Sequence, residues 1–157
     1  MSDSHTYEAH LTWTGASAGP TSSYAGYSRE HSIQIPGKEP LRGSADAVFR
    51  GDGSLYSPED LLVASLSGCH MLSYLAHAAR AGVHVTSYED SATGTMVLEG
   101  GGGHFTEVTL RPSVTISAGD PALAQTLHDT AHADCFIAAS MNFPVRHDVR
   151  VTVVAHP

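Results

Sequence analysis

One segment constrains this chain more than any other. Ser57-Pro58-Glu59-Asp60 has the chemistry of a helix start. Ser57 can cap, Pro58 suits the first helical position, and two carboxylates face the positive end of the helix dipole. Leu62, Leu66, Cys69, Leu72 and Ala76 then recur at helical spacing, and so do Leu61, Ser65, Gly68, Leu72 and Leu75. A helix with two apolar stripes belongs at the centre of a fold. Ala81-Gly82 ends it.

The flanking segments have strand chemistry. Tyr7, Ala9, Leu11 and Trp13 alternate with polar residues, which predicts a first strand. A turn-rich stretch from Gly15 to Gly26 follows. Tyr27–Ile35 predicts a second strand, ended by Pro36-Gly37, and Leu41–Ser44 a short third. Val83–Leu98 and Phe105–Ile116 are rich in Val, Thr and Tyr and flank four glycines, Gly100–Gly103. That arrangement predicts a long antiparallel hairpin, with Pro112 at an edge or bulge. Asp120-Pro121 starts a second helix with Leu123, Leu127 and Ala131 on one face. Cys135–Ala138 suggests a short third helix, and Val149, Val151 and Val153 a last strand. Strands, helix, strands, helices and strand in that order predict an α+β fold.

The chain has 157 residues, the size of a single domain spanning 1–157. Charged residues make up 15%, well under the usual ~25%. That shortage suits surface buried against a second subunit. The net charge of −8, with basic residues scattered, argues against nucleic acid and anionic membrane as partners. The longest apolar stretch, Leu61–Ala81, is interrupted by Ser65, Ser67, His70, Ser73, His77 and Arg80, and the polar N-terminus lacks a signal-peptide core. The expectation is a cytoplasmic protein outside the membrane.

Two cysteines, Cys69 and Cys135, are too few for a secreted disulfide framework. Each is either a small buried hydrophobe or a reactive thiol. The eleven histidines offer a metal reading: His128 and His132 stand i, i+4, Cys135 lies three residues on, and His70 adjoins Cys69. The alternative places His128 in solvent and His132 against the second cysteine. Adjacent helical residues diverge by about 100°, so His70 and Cys69 do not readily pair. Met71, Met141 and Phe143 read as core or pocket wall.

Residues 57–72, Ser-Pro-Glu-Asp-Leu-Leu-Val-Ala-Ser-Leu-Ser-Gly-Cys-His-Met-Leu, resemble the first-cysteine helix of the OsmC/Ohr family of osmotically inducible and organic-hydroperoxide-resistance proteins. Residues 131–138, Ala-His-Ala-Asp-Cys-Phe-Ile-Ala, resemble the family's second-cysteine segment. The two motifs stand in the right order, 66 residues apart. The likeness is to the OsmC-like branch, with Cys-His-Met in the helix. Ser73 departs from it, standing where the branch often has a bulky aromatic.

The resemblance implies an OsmC-like fold: antiparallel sheets around a long cysteine-bearing helix, in an intertwined homodimer. It implies a thiol peroxidase that reduces organic hydroperoxides, with Cys69 peroxidatic and Cys135 resolving. No bound cofactor is implied. The expected reductant is a dithiol such as a dihydrolipoyl group. Glu59 matches the family's Glu and Arg29 its Arg, with Arg42 and Arg50 in reserve. A guanidinium favours a thiolate and can hydrogen-bond a peroxide, and Glu59 would hold it by a two-pronged contact. Ten helical residues rise about 15 Å, so Glu59 cannot touch Cys69 along one unbroken helix. A bridging Arg or a second chain would have to connect them, and Ser65 and Gly68 would let two such helices approach closely. Two alternatives stand beside the peroxidase: a non-catalytic OsmC-like dimer that binds an apolar ligand or senses redox state, and a His/Cys metal-binding protein.

Overall fold

The computed structural model describes residues 3–154, which fold into two compact units, one through Leu61 and one from Leu62 onward. Helix α1 (Pro58–Arg80) begins at the end of the first and continues through the second.

The first unit carries one antiparallel sheet of three short strands, β1 (His10–Trp13), β2 (His31–Gln34) and β3 (Leu41–Gly43), in that order. Each is shorter than its sequence pattern suggests. Trp13 pairs with His31, and residues 14–18 turn away in a 3₁₀ helix. The indole Nε1 of Trp13 donates to the Ser28 carbonyl at 2.7 Å, closing the turn-rich loop. A short 3₁₀ helix, Ala47–Phe49, is capped by Asp46, whose carboxylate accepts from Val48 N–H.

The start of α1 is a reciprocal cap. Ser57 Oγ accepts from Asp60 N–H at 3.1 Å, and Asp60 Oδ2 accepts from Ser57 N–H at 2.9 Å. This satisfies two backbone donors that a helix terminus otherwise leaves unpaired. At the other end Gly82 takes φ 71°, where a side chain would be strained. Its N–H bonds the Ala79 carbonyl, and Val83 N–H bonds that of Ala78, closing the last turn.

The second unit holds two mixed sheets. Strands β4 (His84–Asp90), β5 (Thr93–Glu99), β6 (Gly102–Leu110) and β7 (Pro112–Ala118) form the long hairpin, but it is bent into two sheets. β5 pairs with β6 across Gly100 and Gly101, both at positive φ, while β4 pairs with β7. The bend lies at Ser91–Ala92 and Arg111. Asp90 Oδ1 accepts from Arg111 N–H at 2.6 Å, and the Arg111 guanidinium returns to Ser91 O and Thr93 Oγ1.

Helix α2 (Pro121–Ala133) is capped by Asp120, which accepts from Ala122 and Leu123 N–H. Two short strands follow. β8 (Val145–His147) adds parallel to β6, and β9 (Arg150–Val153) adds parallel to β7. Parallel addition makes these sheets mixed rather than purely antiparallel. It also puts β7 at the centre of its sheet, so Pro112 is not at an edge. Pro112 is the first residue of the strand, where a missing N–H is tolerated. β8 was not foreseen, and the expected third helix is a turn followed by one 3₁₀ turn, Ala138–Ser140.

Two apolar clusters fill this unit. One gathers Tyr74, Ala78, Val83, Val114, Ile116, Ala124 and Ala131. The other centres on Leu66, Val108 and Leu110, with Met141 and Phe143 packed against it. The buried face of α1 is Leu66, His70, Tyr74 and Ala78, at i, i+4 spacing. On length and composition alone α1 could cross a bilayer; this stripe is instead packed in protein. The second predicted stripe behaves differently. Ser65 and Leu72 are exposed, and a Cβ placed on Gly68 would meet nothing within 4 Å.

Candidate functional site

The second unit brings the two cysteines together. Cys69 lies mid-way along α1, half-buried. Cys135 follows the end of α2 and is buried. Both are free thiols, and Cys69 is close enough to shift the Cys135 proton. Their surroundings differ. Burial and the hydrogen bond to Cys69 push the Cys135 thiol up to about 11. Ala138 N–H points at the Cys135 sulfur at 3.5 Å without reversing that. Cys135 therefore keeps its proton at neutral pH. Such an asymmetric pair has a natural nucleophile and a natural second thiol.

Beside the thiols the same unit buries two histidines. His70 is 1% exposed and His128 is fully buried, so His128 does not face solvent. His70 Nε2 and His128 Nδ1 share a hydrogen bond of 2.9 Å between α1 and α2. The Tyr74 ring stacks on His128 with centroids 3.8 Å apart. His147 of β8 stacks on His70, and its Nε2 bonds Asp129 Oδ1 at 2.9 Å. Desolvation first, then the neighbouring imidazoles, push His70 down to about 4 and His128 to about 3. Both are neutral at pH 7. His132 is also lowered by burial and packs near His147. The imidazoles are used on one another: among the described residues no three His, Cys, Asp or Glu side chains converge as metal ligands. The metal reading of His128, His132, Cys135 and His70 finds no support in this geometry.

The first unit holds an open pocket of about 430 Å³ with mainly apolar walls, including Trp13, Tyr27, Phe49 and Pro58. Arg29 and Glu59 both line it. The expected two-pronged contact between them is not made. Arg29 Nη1 and Nη2 donate instead to the Tyr27 and Tyr24 carbonyls, each at 2.6 Å. Its guanidinium lies 4.0 Å from the Tyr27 ring centroid and 4.9 Å from that of Tyr24. Glu59 Oε2 is buried without a hydrogen-bond partner among the described residues. The reserve arginines are placed elsewhere. Arg42 is exposed and paired with Glu30 at 2.6 Å. Arg50 takes φ 63° after a 3₁₀ turn and is not part of the pocket wall.

Sequence reasoning missed the His70–His128 bond and the aromatic cradle of Arg29. A signal for the first existed: His70 sits four residues from Leu66 and from Tyr74, on the apolar stripe that turns inward.

Comparisons with known proteins agree with this architecture. The family described as OsmC-like protein matches residues 51–150. No curated protein sequence matches the chain. Among solved structures, an OsmC-like protein of unknown function from Vibrio cholerae is 32% identical, with a TM-score of 0.84 over 93% of this chain and 99% of that one. An organic hydroperoxide resistance protein from Elizabethkingia anophelis has a TM-score of 0.68 at 16% identity, over 98% of this chain and all of that one. The organic hydroperoxide resistance protein OhrB of Bacillus subtilis has a TM-score of 0.58 at 16% identity, over 94% and 98%. The last two share the fold. With the family match over most of the chain and the Vibrio likeness over nearly all of it, this chain belongs to the OsmC-like family.

Proposed function

We propose that the chain is a cysteine-based peroxidase that reduces organic hydroperoxides, working as a cytoplasmic homodimer. The observation that carries this reading is the thiol pair: two free cysteines brought into one neighbourhood, one half-buried and one held protonated. The Cys69 thiolate attacks the outer oxygen of ROOH, breaks the O–O bond and releases the alkoxide, which takes a proton to become the alcohol. Cys69 is left as a sulfenic acid. The Cys135 thiol then displaces water from that sulfur and a disulfide forms. A dithiol such as a dihydrolipoyl group reopens it by thiol exchange, and no bound cofactor is needed.

Arg29 and Glu59 are proposed to serve the same reaction as its polar anchor. Arg29 is the guanidinium that the family resemblance assigns to the peroxide oxygens, and Glu59, whose Oε2 lacks a partner among the described residues, takes it up when it leaves the Tyr24 and Tyr27 carbonyls. The stripe of exposed Ser65 and Leu72 with half-buried Gly68 between them is where a second copy would pack, since small residues let helices approach closely.

The test is a pair of variants. Cys69→Ser should abolish reduction of cumene hydroperoxide. Cys135→Ser should still consume one equivalent and stop at a sulfenic acid that dimedone captures. Full turnover by Cys69→Ser would sink the assignment. The second reading is a dimer that binds an apolar ligand without turnover, which the apolar pocket walls favour. It wins if neither cysteine variant differs from the parent while an apolar dye binds in that pocket.

A further inference from the structure

His70 and His128 are not needed for the peroxide chemistry above, yet they occupy the most protected polar position in the second unit. Their rings are buried, and each keeps one nitrogen, His70 Nδ1 and His128 Nε2, without a partner among the described residues. A neutral imidazole has one N–H and one bare nitrogen. Whichever ring donates across the 2.9 Å contact, one outer nitrogen is left as a buried donor and the other as a buried acceptor. Two leucines of similar volume would fill the space without that cost. What the pair adds is a directional bond between two helices.

The bond sits next to the thiols. Cys69 is the residue before His70 on α1, and Cys135 lies two residues past the end of α2, which carries His128. Another link runs from α1 to the residue that follows α2, where His77 Nε2 meets Asp134 Oδ2 at 2.9 Å. It lies at the surface, with the Asp134 side chain 59% exposed, and exposed pairs hold little in water. Two buried links are therefore able to fix the register of α2 on α1, this one and the Tyr74 hydroxyl donating to the Ala124 carbonyl at 3.1 Å, and the imidazole pair is the one nearer the cysteines along both helices.

We propose that His70 and His128 are positioning residues for the thiol pair: their hydrogen bond locks α2 against α1 and so holds Cys135 on Cys69. The proposal rests on the two cysteines being redox partners, as in the reading above, but not on a hydroperoxide being the substrate. Its test uses diamide, a diazene that takes two electrons and two protons from the thiols and leaves a hydrazine and the disulfide. A protein that closes its disulfide with diamide yet ignores hydroperoxides would refute the peroxidase and leave the lock standing.

Side-chain reach gives the discriminating pattern. A Gln amide reaches the place of an imidazole Nε2, and an Asn amide that of an Nδ1. His70 uses Nε2 and His128 uses Nδ1. His70→Gln and His128→Asn should keep the bond, with disulfide closure within about threefold of the parent. His70→Asn and His128→Gln should break it and slow closure about tenfold or more, the size of one lost hydrogen bond. Circular dichroism confirms that each variant is folded. Equal rates in all four, whether fast or slow, would overturn the proposal, because packing alone does not care which amide stands at which position.

The parent protein provides a second test should a variant not fold. If the lock and the thiol contact support each other, the coupling is reciprocal. Closing the disulfide must then make the pair harder to protonate. NMR of the ring nitrogens reads the protonation midpoint of His70 and His128 in the dithiol and disulfide forms. The groups that face the pair are Tyr74 on α1, Asp129 and His132 on α2, Tyr88 and Asp90 on β4, and His147 on β8. All are present in both forms. A lower midpoint in the disulfide form supports the lock. An unchanged or higher midpoint overturns it.

Discussion

The two units are held together by different means. From Leu62 onward, side chains of two helices and two sheets converge on two apolar clusters. Among the described residues, every buried apolar side chain lies between Leu66 and Cys135. Through Leu61 the buried side chains are small or polar, Ser44 and Ser57, while Leu11, Tyr24, Val48 and Tyr56 are more than half exposed. That unit is organised by local bonds: an indole on a carbonyl, a carboxylate on a backbone N–H, a guanidinium wrapped in its own loop. The difference teaches where each kind of chemistry can be kept. A thiol pair and neutral histidines need a rigid, dry environment. A group that must move to meet a substrate is better held by contacts that exchange readily.

The largest effect should come from the apolar core of the second unit. Leu66→Ala removes a fully buried side chain and should cost about 3 kcal/mol, read as a lower urea midpoint with unchanged slope. A loss under about 1 kcal/mol would mean that this core is not what holds the unit. Next is acid. His70 and His128 are lowered in the folded state, so the unfolded chain binds more protons below its ordinary histidine range of about 6.5. Their contribution is complete at pH 7 and is lost as pH falls from there toward 4. Stability should drop by on the order of 2 kcal/mol between pH 7 and about pH 5.7, and replacing both residues by leucine should flatten that slope.

How much of this was legible beforehand follows the same division. The start of α1 was readable because Ser57, Pro58 and Asp60 act within one turn, and α2 because Asp120 caps it locally. The bent hairpin was half-legible. Its β-branched residues and glycines announced two strands, but the break depends on Asp90 reaching Arg111, 21 residues away. β8 has three residues and pairs in parallel with a distant strand, which leaves no local pattern. The meeting of Cys69 and Cys135 was implied only by family resemblance. The His128–His132 spacing suggested a metal, whereas the pairing in the structure joins His128 to His70 across 58 residues. Arg29 was found as a residue, but not its tether, because carbonyl acceptors depend on a loop path that composition does not encode.

Smaller effects should mark the first unit. Ser57→Ala removes one half of the reciprocal cap at α1 and should cost about 1 kcal/mol, checked by thermal melting. If it costs as much as Leu66→Ala, the contrast between the units is wrong. Arg29→Ala should leave the melting temperature nearly unchanged and reduce hydroperoxide turnover tenfold or more, since its tether is local and its proposed task is not structural. Arg42→Ala should be the mildest, with no measurable change in either property, because its pair with Glu30 is exposed.

The central claim is that Cys69 and Cys135 act as one redox unit on an organic peroxide. It is tested most directly by reducing the protein, removing the reductant and adding one equivalent of cumene hydroperoxide, with hydrogen peroxide in parallel. Free thiols and intact mass are followed over seconds. The account predicts loss of both thiols with a mass decrease of two hydrogens, faster with the organic peroxide. Two thiols that persist for many minutes would contradict it.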